Sequence, residues 1–151
     1  TGREDQRGVE TPGEIALKTG RCYIAVGSNL GDRRGNIRAA ISLTGALPRT
    51  KVLSVSSLFE NAPAGGPRGQ GDFLNGAFSL ETGLTPSRLL AGLKRIEREL
   101  GRKPGARNGP RSIDLDILWY DGKRLNGSAL CIPHPRMFRR DFVLRPLLEI
   151  L

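Results

Sequence analysis

Two carboxylates, Asp114 and Asp116, are set into the apolar string GPRSIDLDILWY at residues 109–120. On a β-strand, side chains two residues apart share a face. Both acids therefore point one way, while Ile113, Leu115 and Ile117 point into the opposite layer. Like charges this close disfavour each other's ionisation, so the pair requires a positive partner. Mg²⁺ suits it, because that ion takes one or two protein carboxylates and fills its other octahedral positions with water and phosphate oxygens. Arginine suits it too, and Arg111 stands three residues upstream. Spacing alone leaves both partners open.

Other residues around this string also suit phosphate chemistry. Arg102, Lys103, Arg107 and Arg111 flank a loop containing Gly and Pro, the make-up of a mobile cover over polyphosphate. Guanidinium forks bind phosphate oxygens bidentately and neutralise charge during phosphoryl transfer. Any one of these side chains could equally be solvated surface; as a group beside the two aspartates they favour phosphate. His134, the sole histidine, sits between Pro133 and Pro135, which hold its backbone extended. Arg136, Arg139, Arg140 and Arg145 follow it. Phe73 and Asn75 share one face of the segment FLNGAFSLET, where a ring beside an amide could stack on and hydrogen-bond a flat heterocycle. Phe142 offers a second ring, or a core residue. Neither GxxxxGK[ST] nor GxGxxG occurs, so metal, arginines and irregular loops would have to hold a nucleotide.

The elements that must position these residues follow from the patterning. At 151 residues the chain fits one domain, and its 38% hydrophobic and 26% charged composition is globular. A formal charge of +9 points to an anionic partner, small molecule or nucleic acid. There is no run of membrane-spanning length and no secretory signal pattern. Cys22 and Cys131 lack metal or disulfide-framework spacing, which indicates a reducing, cytoplasmic setting. Residues 1–20 read as a flexible leader or linker, and residues 21–151 as a single domain. RCYIAVGS reads as a central strand, residues 31–47 as a helix with Ile37, Ala40, Ile41, Thr44 and Leu47 on its stripe, and KVLSVSSLFE as a second strand. NAPAGGPRGQGD is a loop, and FLNGAFSLET a strand with Leu74, Phe78 and Leu80 on its core side. LTPSRLLAGLKRIEREL is a helix with Thr85 as N-cap, Pro86 at its first position and Gly101 as C-terminal cap. An Asp-Gly turn follows the aspartate strand, and the last twenty residues read as Pro-broken, helical pieces. The order predicts an α+β, ferredoxin-like βαββαβ domain: an antiparallel sheet with both helices packed on one face and the other face free for a ligand.

Four stretches, YIAVGSNLGD, FLNGAFSLET, GPRSIDLDILWY and IPHPRMFRRDFVLRPLLEI, together resemble the hydroxymethyl-dihydropterin pyrophosphokinase family of folate biosynthesis. The likeness runs over residues 23–150. It implies transfer of pyrophosphate from ATP to the hydroxymethyl group of 6-hydroxymethyl-7,8-dihydropterin, with release of AMP. By this resemblance Asp114 and Asp116 hold two Mg²⁺ ions, Arg102 and Arg111 are catalytic and engage the polyphosphate, and Glu97, His134 and Arg140 contact ATP. Pro63, Gly65, Phe73, Asn75 and Phe142 form the pterin site. The loop between Arg102 and Arg111 is short for the family, and Asn108 stands where some members carry tryptophan. The expected partners are the two small-molecule substrates, without nucleic acid or membrane, acting on a monomer. Two other readings compete. An RNA-binding module fits the fold and charge, but the aromatic RNP string is missing. A catalytically dead nucleotide binder is opposed by the complete set of Asp114, Asp116, Arg102 and Arg111.

Overall fold

The computed structural model describes residues 18–63, 65–104, 109–127 and 130–151. The first 17 residues of the expected leader, together with Arg107 and Asn108, lie outside the described residues.

Strand β1 (Gly20–Ser28) is central because its neighbours bury both of its edges. Helix α1 (Arg33–Gly45) follows, started by Asp32, whose carboxylate accepts from Gly35 N–H at 3.0 Å. Then come β2 (Thr50–Val55), β3 (Phe59–Asn61), β4 (Phe73–Thr82), α2 (Pro86–Glu99) and β5 (Asp114–Tyr120). Thr85 caps α2 with Pro86 at its first turn, and Gly101 adopts φ 91° just past its end, as the sequence predicts. The sheet order is β2-β4-β1-β5, and every pairing is antiparallel. This is the expected ferredoxin-like arrangement.

Helices α1 and α2 cover one face. Ile24, Phe78, Leu80 and Leu115 of the sheet meet Ile37, Leu89, Leu93 and Ile96 of the helices, all essentially without solvent contact. Between Tyr23 and Ile24 the β1–β5 register slips, which leaves Leu118 as an extra residue facing the other layer.

Two expectations need correction. The second strand is not continuous: β2 ends at Val55, and β3 pairs separately with the first three residues of β4. Ser56 makes the break, because its hydroxyl accepts from Ala77 N–H at 2.9 Å in place of a backbone carbonyl. Nor is the second sheet face free. After a short hairpin, β6 (Leu125–Asn126) with β7 (Cys131–Ile132), and a 3₁₀ turn (Met137–Arg139), helix α3 (Asp141–Ile150) packs on it. Leu118, Met137, Val143 and Leu147 form a second small core there. Glu149 Oε1 accepts from Ser57 N–H at 2.7 Å, and the Arg145 guanidinium lies 5.1 Å from the Phe59 ring centroid. The open part of that face is thereby narrowed to the end of the sheet carrying Asn75, Asp114 and Asp116.

Among the described residues no helix is long and apolar enough to cross a membrane. Both cysteines are free, Cys22 fully buried and Cys131 half-buried. Burial, assisted by the charge of Asp121, pushes the Cys22 thiol up to about 12. The thiolate is the reactive form, so native protein should yield one thiol to a disulfide reagent and two after denaturation. Rapid reaction of two in the native state would contradict this packing.

Candidate active site

The strand alternation places Asp114 and Asp116 as expected, on the face opposite Leu115 and Ile117. Their surroundings differ. Asp114 is clasped by both predicted arginines: Arg102 Nη1 lies 2.9 Å from Oδ1 and Arg111 Nη1 lies 3.1 Å from Oδ2. Each oxygen of a carboxylate has two lone pairs, so one position on each stays open. Asp116 has its charge opposed first by burial and then by Asp114 and Glu97. Lys94 and Arg102 pull the other way, and the carboxyl comes to rest at about 7. Among the described residues Asp114 is ion-paired, and no such pair is formed by Asp116.

Glu97 sits beneath them on α2 with only 3% of its surface exposed. Its Oε2 accepts from Leu115 N–H at 2.8 Å and meets Arg102 Nη1 at 2.8 Å, while Oε1 faces Lys94 Nζ at 3.3 Å. A buried carboxylate is tolerable when so partnered. Here the partners fix the edge strand and the root of Arg102 together.

On one side of the aspartates opens a cavity lined by Ala62, Phe73, Asn75, Arg111, Asp114, Arg140 and Phe142. Two rings and an amide thus share a wall with two guanidinium groups. Gly27, opposite Asn75 in the β1–β4 register, makes room for the amide: a Cβ there would lie 2.7 Å from Asn75 Oδ1. Gly27→Ala should therefore displace the amide and weaken heterocycle binding about tenfold, on the scale of one lost polar contact, with little change in melting temperature. Unchanged affinity for the heterocycle would remove Asn75 from recognition.

On the other side a cleft is lined by Leu90, Lys94, Asp116, Ile117, Gly127, Leu130, Cys131, His134 and Pro135. His134 is held by its backbone, N–H donating to Leu118 O at 2.9 Å, and its Nδ1 accepts from Arg136 N–H at 3.2 Å. Burial, then the positive charge of Arg140, lower its pKa; Asp114 pulls the other way, and Arg136 adds a smaller lowering. A neutral ring whose Nδ1 accepts carries its proton on Nε2. Apolar walls, a neutral donor and flanking cations suit a nucleotide base running into its phosphates.

A sequence model of the 7,8-dihydro-6-hydroxymethylpterin-pyrophosphokinase family matches residues 23–151. The chain belongs to this family. Membership brings the pyrophosphokinase activity in folate biosynthesis that the sequence led us to expect. Relatives named as hydroxymethyldihydropteridine pyrophosphokinases include those of Bacillus subtilis and Pseudomonas aeruginosa. The first is 45% identical over 128 residues, covering 85% of this chain and 76% of that protein. The second is 43% identical over 130 residues, covering 86% and 80%. A mitochondrial bifunctional folate-synthesis protein of Pisum sativum is 43% identical over 138 residues, and the match covers 91% of this chain but 26% of that protein.

Within this pyrophosphokinase fold, nine of the twelve anticipated side chains meet around the two openings: Arg111, Asp114, Asp116, His134, Arg140, Phe73, Asn75, Phe142 and, through Asp114, Arg102. Glu97 lies one layer deeper, behind Arg102. Among the described lining residues the loop contributes Ala62 rather than Pro63 or Gly65; Gly65, at φ 94°, instead offers its carbonyl to Gln70 Nε2 at 3.0 Å. Sequence reasoning counted Lys94 in the basic cluster before the acids but gave it no site role, although its place one turn before Glu97 puts the two on one helix face. Nor did it single out Asn29, inside the quoted string YIAVGSNLGD, whose side chain accepts from Arg111 N–H and donates to Gly71 O.

Proposed function

We propose that this cleft performs the transfer as a direct in-line displacement. The hydroxymethyl oxygen of the pterin attacks the β-phosphorus of ATP and gives up its proton to solvent, the bond from that phosphorus to the oxygen shared with the α-phosphorus breaks, and AMP leaves with that oxygen. The observation that carries the reading is the pair of carboxylates on β5, set between an aromatic–amide cavity and an apolar cleft and ringed by arginines.

Phe73 and Phe142 would sandwich the pterin while the Asn75 amide reads its polar edge, aided by the backbone of the loop at Pro63 and Gly65. His134 Nε2–H and Arg140 would donate to the polyphosphate. Arg102 and Arg111 would shift from Asp114 to phosphate oxygens as the nucleotide arrives, and Glu97 would hold Arg102 at its root. Asp114 and Asp116 would hold Mg²⁺, two ions in our reading. The donor set fits such an ion: two hard carboxylates on one face, one of them without an ion pair among the described residues. Among the described residues no three His, Cys, Asp or Glu side chains converge, so further ligands would come from phosphate and water. When bound, magnesium supplies charge neutralisation and a lowered pKa for the attacking hydroxyl. Positioning and electrostatics would supply most of the acceleration. A single domain over residues 21–151, working as a monomer in the cytoplasm, completes the proposal; the family match supports the domain, and the two free thiols agree with a reducing compartment.

The test is AMP release from ATP with hydroxymethyl-dihydropterin. Stoichiometric AMP and pterin diphosphate, abolished by a chelator and restored by Mg²⁺, is expected. ADP as the nucleotide product, or full activity in the chelator, would defeat the scheme.

A further inference from the structure

Arg33, the first residue of α1, reaches across to the strip formed by β3 and the start of β4. Its Nη1 lies 3.1 Å from Glu60 Oε1 on β3 and donates at 3.0 Å to the carbonyl of Asp72, the residue before Phe73. A terminal guanidinium nitrogen carries two N–H groups, so one atom serves both partners. The register pairs Glu60 with Leu74 and Asn61 with Phe73, and side chains alternate between faces along a strand. Leu74 belongs to the core beneath the helices, whereas Phe73 lines the aromatic cavity on the opposite face. Arg33 therefore grips this strip from the rear, and it is not among the residues lining the cavity in front.

We propose that Arg33 is a positioning residue for the heterocycle: it fastens the rear of the β3–β4 strip to α1 and so sets where the Phe73 wall of the cavity stands. The inference rests on the reading of that cavity as the pterin site. The strip needs such a fastening. β3 is three residues long and pairs with the first three of β4, and a two-stranded pairing that short is marginal by itself. The loop joining the two strands adds little stiffness, since Gly66 and Gly69 take φ of 86° and 81°, conformations that glycine leaves as readily as it enters. The first turn of α1, by contrast, is firmly seated. Asp32 caps it at 3.0 Å, and Asn36 Nδ2 donates to Leu30 O and Ser112 O, each at 3.1 Å. An exposed ion pair alone contributes little, and Glu60 is well exposed. The second bond makes the difference, because it holds main chain directly beside the ring that meets the ligand.

The test is Arg33→Met, which keeps an unbranched side chain of good helix propensity but neither the donors nor the charge. In the AMP-release reaction the KM for hydroxymethyl-dihydropterin should rise about tenfold, the scale of a lost charge-assisted hydrogen bond. The kcat at saturating pterin and the KM for ATP should each stay within about threefold, because the contact serves ground state and transition state alike. Arg33→Lys retains a charged donor and should recover part of the pterin KM. Glu60→Ala leaves the Asp72 bond in place and should raise that KM by only about threefold; added to Arg33→Met it should change nothing further, since both cut one contact. A native pterin KM in Arg33→Met would overturn the proposal. So would equal rises in both KM values, which would make Arg33 a general source of positive charge, or a double variant in which the two losses multiply. Should Arg33→Met not fold, Arg33→Lys and Glu60→Ala decide: a raised pterin KM with the ATP KM unmoved supports the fastening, and native values in both defeat it. Native protein that releases no AMP with the pterin would instead strike the substrate assignment, and this inference with it.

Discussion

Asp116→Asn is expected to lower turnover by about a thousandfold or more, a rise of ~4 kcal/mol in the barrier, while making the folded protein more resistant to heat at pH 8. The two effects share one origin. Folding carries this carboxyl from an ordinary value of 3.8 to about 7, first through burial and then through its acidic neighbours. Well below pH 4 the group is protonated in folded and unfolded chains alike and contributes no penalty. Between those values unfolding releases a proton, so relative stability is lost as pH rises, and above pH 7 the full penalty applies, on the order of a few kcal/mol. Asparagine has no such titration. Melting curves of the two proteins without ligand should nearly coincide near pH 4 and diverge by pH 8, with the variant higher. A variant melting below the native protein at pH 8 would contradict the electrostatics. One that retained native turnover would remove Asp116 from cation binding.

Arg102→Ala should slow the chemical step by about a hundred- to a thousandfold, the usual scale for losing a cation that stabilises a transferring phosphoryl group. Pterin affinity should change by less than about threefold, because Arg102 is not among the residues lining the aromatic cavity. Single-turnover kinetics with pterin binding measured alongside would separate the two, and equal losses in both would speak against a role on the polyphosphate. The substitution also takes a partner from Glu97 and from Asp114. Loss of a buried acid's cation costs about 1–3 kcal/mol, so the variant should melt earlier. Mn²⁺ alone, followed by its paramagnetic signal, should bind it more tightly than the native protein. Arg102→Lys should restore much of the stability but less of the rate, since an ammonium cannot reproduce the fork.

Much of this was legible in the residues. The alternation through Ile113, Asp114, Leu115, Asp116 and Ile117 set both acids on one face, and the structure keeps them there. Helix α2 announced itself through Thr85, Pro86 and Gly101 as well as its Leu and Ile stripe. What could not be read were contacts between distant segments. Ser56 ends β2 through a bond to Ala77, 21 positions away, and no local pattern signals that. The seat of α3 was hidden too. Pro146 inside it argues against a long helix, and the spacing of Val143 and Leu147 shows an apolar stripe without saying which surface it covers. At the site, spacing left metal and arginine equal as partners for the acids. The arginines are found on Asp114, while Asp116 has a different environment that depends on Glu97 and Lys94 from another helix. The contacts of Asn29 were equally hidden, since its partners lie 41, 42 and 82 residues away.

The outer flank of β5 has a further meaning. An edge strand ordinarily offers a row of unsatisfied amides and carbonyls to any extended peptide that passes, and so invites sheet-to-sheet adhesion. Here the Leu115 amide is taken by Glu97 and the Leu118 carbonyl by the His134 amide. His134, which lines the cleft beside Asp116, and Glu97, which pairs with its neighbour Lys94, are thus the same groups that blunt this margin against self-association, and drift at these positions would be checked by solubility as well as by any role in the cleft.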